Sequence, residues 1–409
     1  MNPGSWLTAR RVQIHGLMLA VCLWTAYAVD MSGPGLLDRA GLVKGTDFLH
    51  FYTLGTLALR HRGELLYDMR AQADLARELV PQSSNSVYVP LYGPQVSLIF
   101  APLARLSYGW ALTAWLSLNV LIYGLCCYTV WKTCPSLQAQ QWTVLILVVA
   151  FPGVFHLLLW GQTSGLALLC FTLAYLALRS DRRMLAGLAI GSLIFKPQLG
   201  LAAAVVFVCA LEWKVVWSAL VAASLQLAAA WIHYGAAVMC AYFHALANIE
   251  SMLLLLEPRP YQTHSLRSFW SMLIPWPRVA LALYVISALG ALVLAVQCWK
   301  GKASLEIHYA ALVAASVLVS PHLTVYDLVI LAPAFLLLGD WSVAHRERLL
   351  ALRVRELLYL CYPLFMIGPL AQVTHLQLSV VAMTALLWLC WRISAGSLST
   401  TSTPLAVSP

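Results

Sequence analysis

Arg10-Arg11 followed by the apolar run at residues 12–29 (VQIHGLMLAVCLWTAYAV) decides the class of fold. A bilayer core asks for about 20 apolar residues in helical form, and a pair of cations at the start of such a run marks the inner side. No small-residue cleavage pattern closes the run, so it is expected to remain as a first span with the N-terminus inside. The rest of the chain has the same character. Of its 409 residues, 61% are hydrophobic and 10% charged, against about 25% charged in soluble domains. The apolar runs are continuous rather than alternating, which excludes a transmembrane β-barrel. The expectation is an all-α polytopic membrane protein of about 10–11 transmembrane helices, with short re-entrant or broken helices and an outer loop carrying surface helices.

Beyond the first span lies a polar segment, 30–93, holding Asp30, Asp38, Asp47, Glu64, Asp68, Asp74 and Glu78. Within it runs Gly45-Thr46-Asp47-Phe48-Leu49-His50-Phe51-Tyr52. A carboxylate set among aromatic residues is costly unless it works or is paired. Asp is also a favoured N-cap, and Phe48, Phe51 and Leu54 follow at helical spacing, so Asp47 as a cap stays open beside Asp47 as a functional acid. Helices are expected at about 47–60 and about 67–80, the second capped by Asp68, both lying on the membrane surface.

Pro90-Leu91-Tyr92-Gly93-Pro94 then breaks the chain, and 95–106 is too short to cross. Spans are expected at 109–131 and 142–160, followed by the hairpin Gly161-Gln162-Thr163-Ser164-Gly165 and a span ending near Leu178. Arg179, Arg182 and Arg183 mark the inner side again, which puts Gln162 on the same outer side as Asp47. The stretch 184–211 is interrupted by Lys196-Pro197-Gln198 and is read as two half-helices returning to the side they left. A span at 215–234 leads to a second outer segment, 235–277, and further spans follow at about 279–299, 304–320, 326–339, 356–371 and 376–392. Residues 1–393 thus form one transmembrane domain, and the Ser/Thr-rich 394–409 reads as a disordered cytoplasmic tail. The net charge of +9 is dispersed between spans. It serves topology and contact with anionic lipid, and no basic run with interleaved aromatics supports a nucleic-acid partner. The ten cysteines fall mostly in apolar runs without a C-x-x-C, as packing residues do.

Polar clusters gather on the expected outer side: Asp47 with His50, Tyr52 and Tyr92; Gln162 at its hairpin; His264 with Arg267; and His322, Tyr326 and Asp327 in a turn between two spans. Lys196 and Gln198 add a cation and an amide at the tip of a broken helix. Ionisable groups at depth are functional by default, and broken helices there line cavities or pack in protein. Together these residues describe a cavity with one acid and several cations, suited to a lipid-borne phosphate. Each has a plainer alternative: Lys196 snorkelling to headgroups, His322 and Gln162 bonding their own turns, Asp327 capping a helix, His264 and Arg267 touching lipid phosphates. No Walker loop, dinucleotide fingerprint, H-E-x-x-H or G-x-S-x-G occurs.

The ordered set Gly45-Thr46-Asp47-Phe48, Phe51-Tyr52, Leu66-Tyr67-Asp68, Tyr92-Gly93-Pro94, Phe100-Ala101-Pro102-Leu103, Gly161-Gln162-x-Ser164, Ala186-Gly187, Lys196-Pro197-Gln198 and Ser320-Pro321-His322 with Tyr326-Asp327 resembles the polyprenol-phosphate-sugar-dependent glycosyltransferases of family 87, of the GT-C membrane fold. The likeness covers roughly residues 40–335, with Tyr92-Gly93-Pro94 standing where the family has Tyr-Pro-Pro. It implies an inverting transfer of mannose or arabinofuranose from a polyprenyl-phosphate donor to an envelope glycan or glycolipid acceptor, on the outer face of a bacterial inner membrane. Asp47 would be the general base. His322 and Lys196, joined by Arg267 and His264, would meet the donor phosphate. His50, Tyr52, Tyr92, Gln162, Gln198, Tyr326 and Asp327 would line the substrate cavity. Neither a metal nor another cofactor is expected, since the donor carries a single phosphate. The alternative is a non-enzymatic flippase or carrier of polyprenyl-linked glycans, which would want the cations but not Asp47.

Overall fold

The computed structural model describes residues 7–83, 87–257 and 259–396, and the expected tail beyond Gly396 lies outside them. Helix α1 (Ala9–Met31) starts at Thr8, whose hydroxyl caps the amide of Arg11. Among the described residues six helices are long and apolar enough to cross a membrane. They are α1, α5 (Tyr108–Trp131), α11 (Trp213–Tyr234), α15 (Pro277–Trp299), the segment Val325–Ala344 that ends in α17 (Ala332–Ala344), and α20 (Leu378–Gly396). Two bent pairs raise the number to eight. The chain is a polytopic, all-helical membrane protein.

The expected span 142–160 is in fact α6 (Gln141–Val149) and α7 (Pro152–Trp160), bent by 40°. Pro152 opens α7 and brings no backbone N–H, so the ladder of α6 cannot run through it. Likewise α18 (Leu349–Met366) gives way, through a 3₁₀ turn containing Pro369, to α19 (Ala371–Thr374) at 69°. The last helix reaches Gly396 rather than stopping near 392, and Ser394, expected in the tail, is buried, donating to the Cys298 carbonyl at 3.2 Å.

Helix α2 (Thr46–Leu59) departs furthest from its expected place on the surface. Every residue from Phe48 to Ala58 is buried. Its sequence is apolar nearly all round, and Thr53 and Thr56 spend their hydroxyls on the carbonyls of Leu49 and Tyr52, so no face needs water. It is enclosed by α4 (Gln95–Phe100), α5 and α3 (Met69–Leu79). Asp68 caps α3 as its sequence position suggests, accepting from the amides of Arg70 and Ala71.

α8 (Ser164–Arg179) leads into the interrupted stretch. Here α9 (Arg183–Gly191) and α10 (Pro197–Cys209) meet at a 3₁₀ turn, Ser192–Phe195. Arg183, the first residue of α9, is ion-paired to Glu212, just after α10. The two halves therefore fold back on one another, with Lys196 at the tip, as the half-helix reading requires. With the 3₁₀ turn counted in the first half, Arg183–Phe195 and Pro197–Cys209 are each about 20 Å long, short of the roughly 30 Å core. Five short elements follow α11: α12 (Ala236–Ala247), a 3₁₀ turn at Ile249–Met252, α13 (Leu253–Leu256), a second 3₁₀ turn at Pro260–Gln262 and α14 (Leu266–Leu273). The centre belongs to α16 (Leu305–Val319), buried without exception from Tyr309 to Val319. Its Ala310, Ala311, Ala314 and Ala315 let neighbouring helices approach closely, the usual basis of packing where lipid is as apolar as the interior.

Two glycines set the site. Gly45, before α2, and Gly161, after α7, are both left-handed, at φ 65° and 68°. The turns abut: a Cβ on Gly161 would lie 2.7 Å from Phe48 Cβ and 3.6 Å from Gly45 Cα. Helix α5 clamps both turns from one face, Tyr108 donating to the carbonyls of Lys44 and Gly45 at 2.7 and 3.1 Å, and Trp115 to that of Gly161 at 2.9 Å. Gly161→Ala therefore meets both a left-handed backbone, worth about 1–2 kcal/mol against any other residue, and Phe48. A thermal melt in detergent should fall by several degrees relative to Gly161-containing protein, whereas Gly124→Ala, at a position with open space for a Cβ, should leave it unchanged.

Candidate active site

Asp47 does not cap α2. The N-cap is Gly45, and Asp47 stands in the first turn with its side chain turned away from the helix amides. Gln162 Nε2 donates to Asp47 Oδ2 at 2.8 Å, while Oδ1 accepts no hydrogen bond among the described residues. The abutting glycine turns make this contact possible.

What points the amide at Asp47 is the group on its other end. Gln162 Oε1 accepts from the Thr163 backbone N–H at 3.0 Å and from Lys196 Nζ at 3.3 Å. With donors fixed on the oxygen, the NH₂ end must face the carboxylate. The Tyr92 hydroxyl also reaches Oε1, at 3.4 Å. Lys196 is held by Asp327 Oδ1 at 2.8 Å, by Ser164 Oγ at 3.0 Å, and lies 5.0 Å from the centre of the Tyr326 ring. Both charges of the Lys196–Asp327 pair are sealed, with side-chain exposures of 4% and 1%. Asp327 serves twice, since it also completes a capping box with Thr324 at the start of the 3₁₀ segment Val325–Leu331. Four elements distant in sequence thus meet: the start of α2, the α7–α8 turn, the α9–α10 tip and the turn before α17.

Burial pushes the Asp47 carboxyl up to about 6. The Gln162 hydrogen bond and the Lys196 charge pull against that rise, Asp327 adds to it, and His322 is close enough to lower it slightly. His50, one turn on, is buried, neither of its ring nitrogens has a partner among the described residues, and its ring lies 4.9 Å from that of Tyr88. Burial alone drives its pKa down to about 3, so it is a neutral imidazole.

A second cluster forms where 260–268 runs beside 321–327, joined by a bridge between Thr263 and Thr324 and by the His264 amide donating to Leu323 O. Arg267 donates to Glu257 Oε1 at 3.0 Å and to the Pro321 carbonyl at 2.9 Å, and His322 Nδ1 lies 2.8 Å from the same Glu257 oxygen. These three side chains are about a tenth to a fifth exposed.

The sequence model of glycosyltransferase family 87 matches residues 91–321, more than half of the chain. The chain belongs to glycosyltransferase family 87. The match contains Gln162, Ser164, Lys196, Glu257 and Arg267, while Asp47, His322 and Asp327 flank it. No curated protein and no solved structure matches the chain.

Of the residues expected at the site of this glycosyltransferase, Asp47, Gln162, Lys196, Tyr92, Tyr326 and Asp327 converge, and His322 lies nearby with Arg267. His264 does not join them. It is fully buried, its Nδ1 sits 2.7 Å from Ser379 Oγ, and burial takes its pKa to about 3, so it presents no cation. The Tyr52 hydroxyl is spent on the Leu106 carbonyl at 2.8 Å, and its ring packs edge-on against Tyr108. Gln198, the second residue of α10, is half-buried and makes no side-chain hydrogen bond among the described residues. Glu257 and Ser164 were not expected. Glu257 could have been found as the one carboxylate within ten residues of Arg267, and Ser164 as the hydroxyl two residues past Gln162. No group of three or more His, Cys, Asp and Glu suited to a metal occurs among the described residues.

Removing one member of a buried ion pair costs about 3–5 kcal/mol, since the other charge is stranded. Lys196→Met should therefore lower the detergent melting temperature sharply, and Lys196→Met/Asp327→Leu should recover much of the loss. A double variant no more stable than the single one would show that the two charges are not coupled.

Proposed function

We propose that this glycosyltransferase moves a sugar from a polyprenyl-phosphate donor to a hydroxyl of a glycan or glycolipid acceptor with inversion, and that Asp47 is the general base. One observation carries the reading: an acid held by one oxygen, with the other unengaged, in surroundings that raise its pKa toward neutrality. A base works best when its pKa approaches the operating pH, and such assistance is worth about 10²–10⁴-fold.

In the proposed reaction the acceptor hydroxyl gives its proton to Asp47 Oδ1 as its oxygen bonds to the anomeric carbon. The bond from that carbon to the phosphate oxygen breaks on the opposite face, and the electron pair leaves with polyprenyl phosphate. Charge grows on the leaving phosphate. Arg267 and His322 are the groups best suited to meet it, because they are partly open while Lys196 is sealed against Asp327. Lys196 then acts as a positioning residue, holding Gln162 so that Gln162 holds Asp47. On this reading the cluster faces the outer side of a bacterial inner membrane, where the charges at 179–183 favour placing the α7–α8 turn. The donor sugar would be mannose or arabinofuranose.

The test supplies purified protein in nanodiscs with radiolabelled polyprenyl-phosphate mannose or arabinose and a crude envelope-lipid acceptor. Label should pass into a new lipid with the wild type, and Asp47→Ala and Asp47→Asn should lower the rate at least a hundredfold while keeping the fold. Donor binding without transfer by any of the three proteins, across several acceptors, would instead favour a lipid carrier.

The pH profile supplies a separate check. Ionised Asp47 is the active form and its pKa is raised to about 6. kcat/KM should therefore climb about tenfold per pH unit below that value and level off above it. The same shift costs stability in the opposite sense. A raised carboxyl pKa stabilises the fold fully below the unfolded pKa, and that contribution is lost as pH rises through about 6.

A further inference from the structure

The half of the bundle remote from Asp47 contains a cavity of about 370 Å³ enclosed by α1, α5, α6, α17 and α18. It reaches the junction at Phe151, where α6 and α7 bend by 40°, and Val12, Gly16 and Leu19 of α1 line its opposite wall. Its distance from the site follows from α5. Tyr108 and Trp115 clamp the glycine turns at one end, whereas Tyr123 and, past the other end of the helix, Leu137 line the cavity. The 24 residues of α5 span about 36 Å.

The wall is mostly apolar, with Leu147, Phe151, Phe335 and Leu358 among its side chains. One end is not. Arg355 lines it with its Nε buried and unpartnered, and among the described residues the guanidinium has neither a carboxylate nor a hydrogen-bond acceptor. The acids near it in sequence are taken: Glu356 pairs with Arg353 at 2.8 Å and Glu347 with Arg346 at 3.7 Å. Beside Arg355, His15 Nδ1 meets the Tyr359 hydroxyl at 2.6 Å, bridging α1 and α18 at the cavity wall.

A guanidinium whose Nε is buried without a partner beside an apolar chamber is relieved by an anion that brings its own hydrocarbon. Basic pockets between transmembrane helices bind anionic headgroups in this way, and the volume falls within the roughly 300–1,000 Å³ of small-ligand sites. We propose that this cavity is a second lipid site, separate from the donor's, that takes an anionic phospholipid from the leaflet remote from Asp47. Its phosphate meets Arg355, with Tyr359 and His15 beside it, and an acyl chain lies against Phe151 and Phe335. The donor cannot be this occupant while reacting, because its phosphate must stand near Asp47.

The test uses the full chain and native mass spectrometry, with palmitoyl-oleoyl phosphatidylglycerol and phosphatidylcholine as probes. Wild type should retain one phosphatidylglycerol in preference to phosphatidylcholine by on the order of tenfold, the scale of a hydrogen-bonded charge. Arg355→Gln should bring the two lipids level, and Val12→Trp, which fills the cavity from α1, should lose the bound lipid of either kind. Melting curves establish that each variant is folded, and if Arg355→Gln fails to fold, the wild-type preference and Val12→Trp decide. Equal retention of both lipids by the wild type would overturn the proposal, as would an undiminished preference in folded Arg355→Gln or in Val12→Trp. Competition of phosphatidylglycerol by polyprenyl phosphate at the same stoichiometry would assign the cavity to the donor's tail and overturn it equally.

Discussion

The Lys196–Asp327 ion pair is the constraint on which the rest of the site depends. Two charges removed from water repay their desolvation only when geometry is good and further hydrogen bonds satisfy them. Here the Ser164 hydroxyl, the Tyr326 ring and the Thr324 amide supply those contacts. Such a pair adds little to stability over well-packed apolar residues, so its value lies in what it specifies. It obliges the tip of a half-helix hairpin to meet a 3₁₀ turn more than a hundred residues away, at the one place where Lys196 can also reach Gln162. An amide has two ends of similar shape and opposite polarity, and the lysine decides which one faces Asp47.

The electrostatics of the two clusters differ in kind. Around Lys196 everything is paired and sealed, and only Asp47 retains an open oxygen. Around Glu257 one carboxylate serves both Arg267 and His322, and all three keep some access to solvent. The sealed cluster is suited to holding a group in place and the open one to exchanging partners. A phosphate arriving at the second cluster would compete with Glu257 rather than with Asp327.

Much of this was legible in the sequence, and the reasons for the exceptions are physical. Apolar runs locate α1, α5, α11 and α15 to within two or three residues, because a bilayer imposes length as well as composition. The hairpin at Lys196-Pro197 was legible too, since a charge and a proline together forbid a continuous crossing. The bends at Pro152 and Pro369 were not, because a proline at a helix start and one that breaks a span look alike in a string of apolar residues. Helix α2 misled in another way: its polar surroundings in sequence suggested a surface, while its own composition is that of a core. Residue types at the site could be read, but not their depth. Lys196 and His264 are both buried basic residues, and their partners, a carboxylate for one and a serine for the other, mark the first as charged and the second as neutral.

The contact between Gly45 and Gly161 carries a further implication. Asp47 and Gln162 are brought together by two turns with no room for a Cβ on either glycine, since one on Gly161 would lie 2.7 Å from Phe48 Cβ and one on Gly45 would run into the Leu112 side chain. Substitution at either glycine cannot tune the distance between them, only destroy it. Any change in what such an enzyme accepts has to leave those two turns as they are.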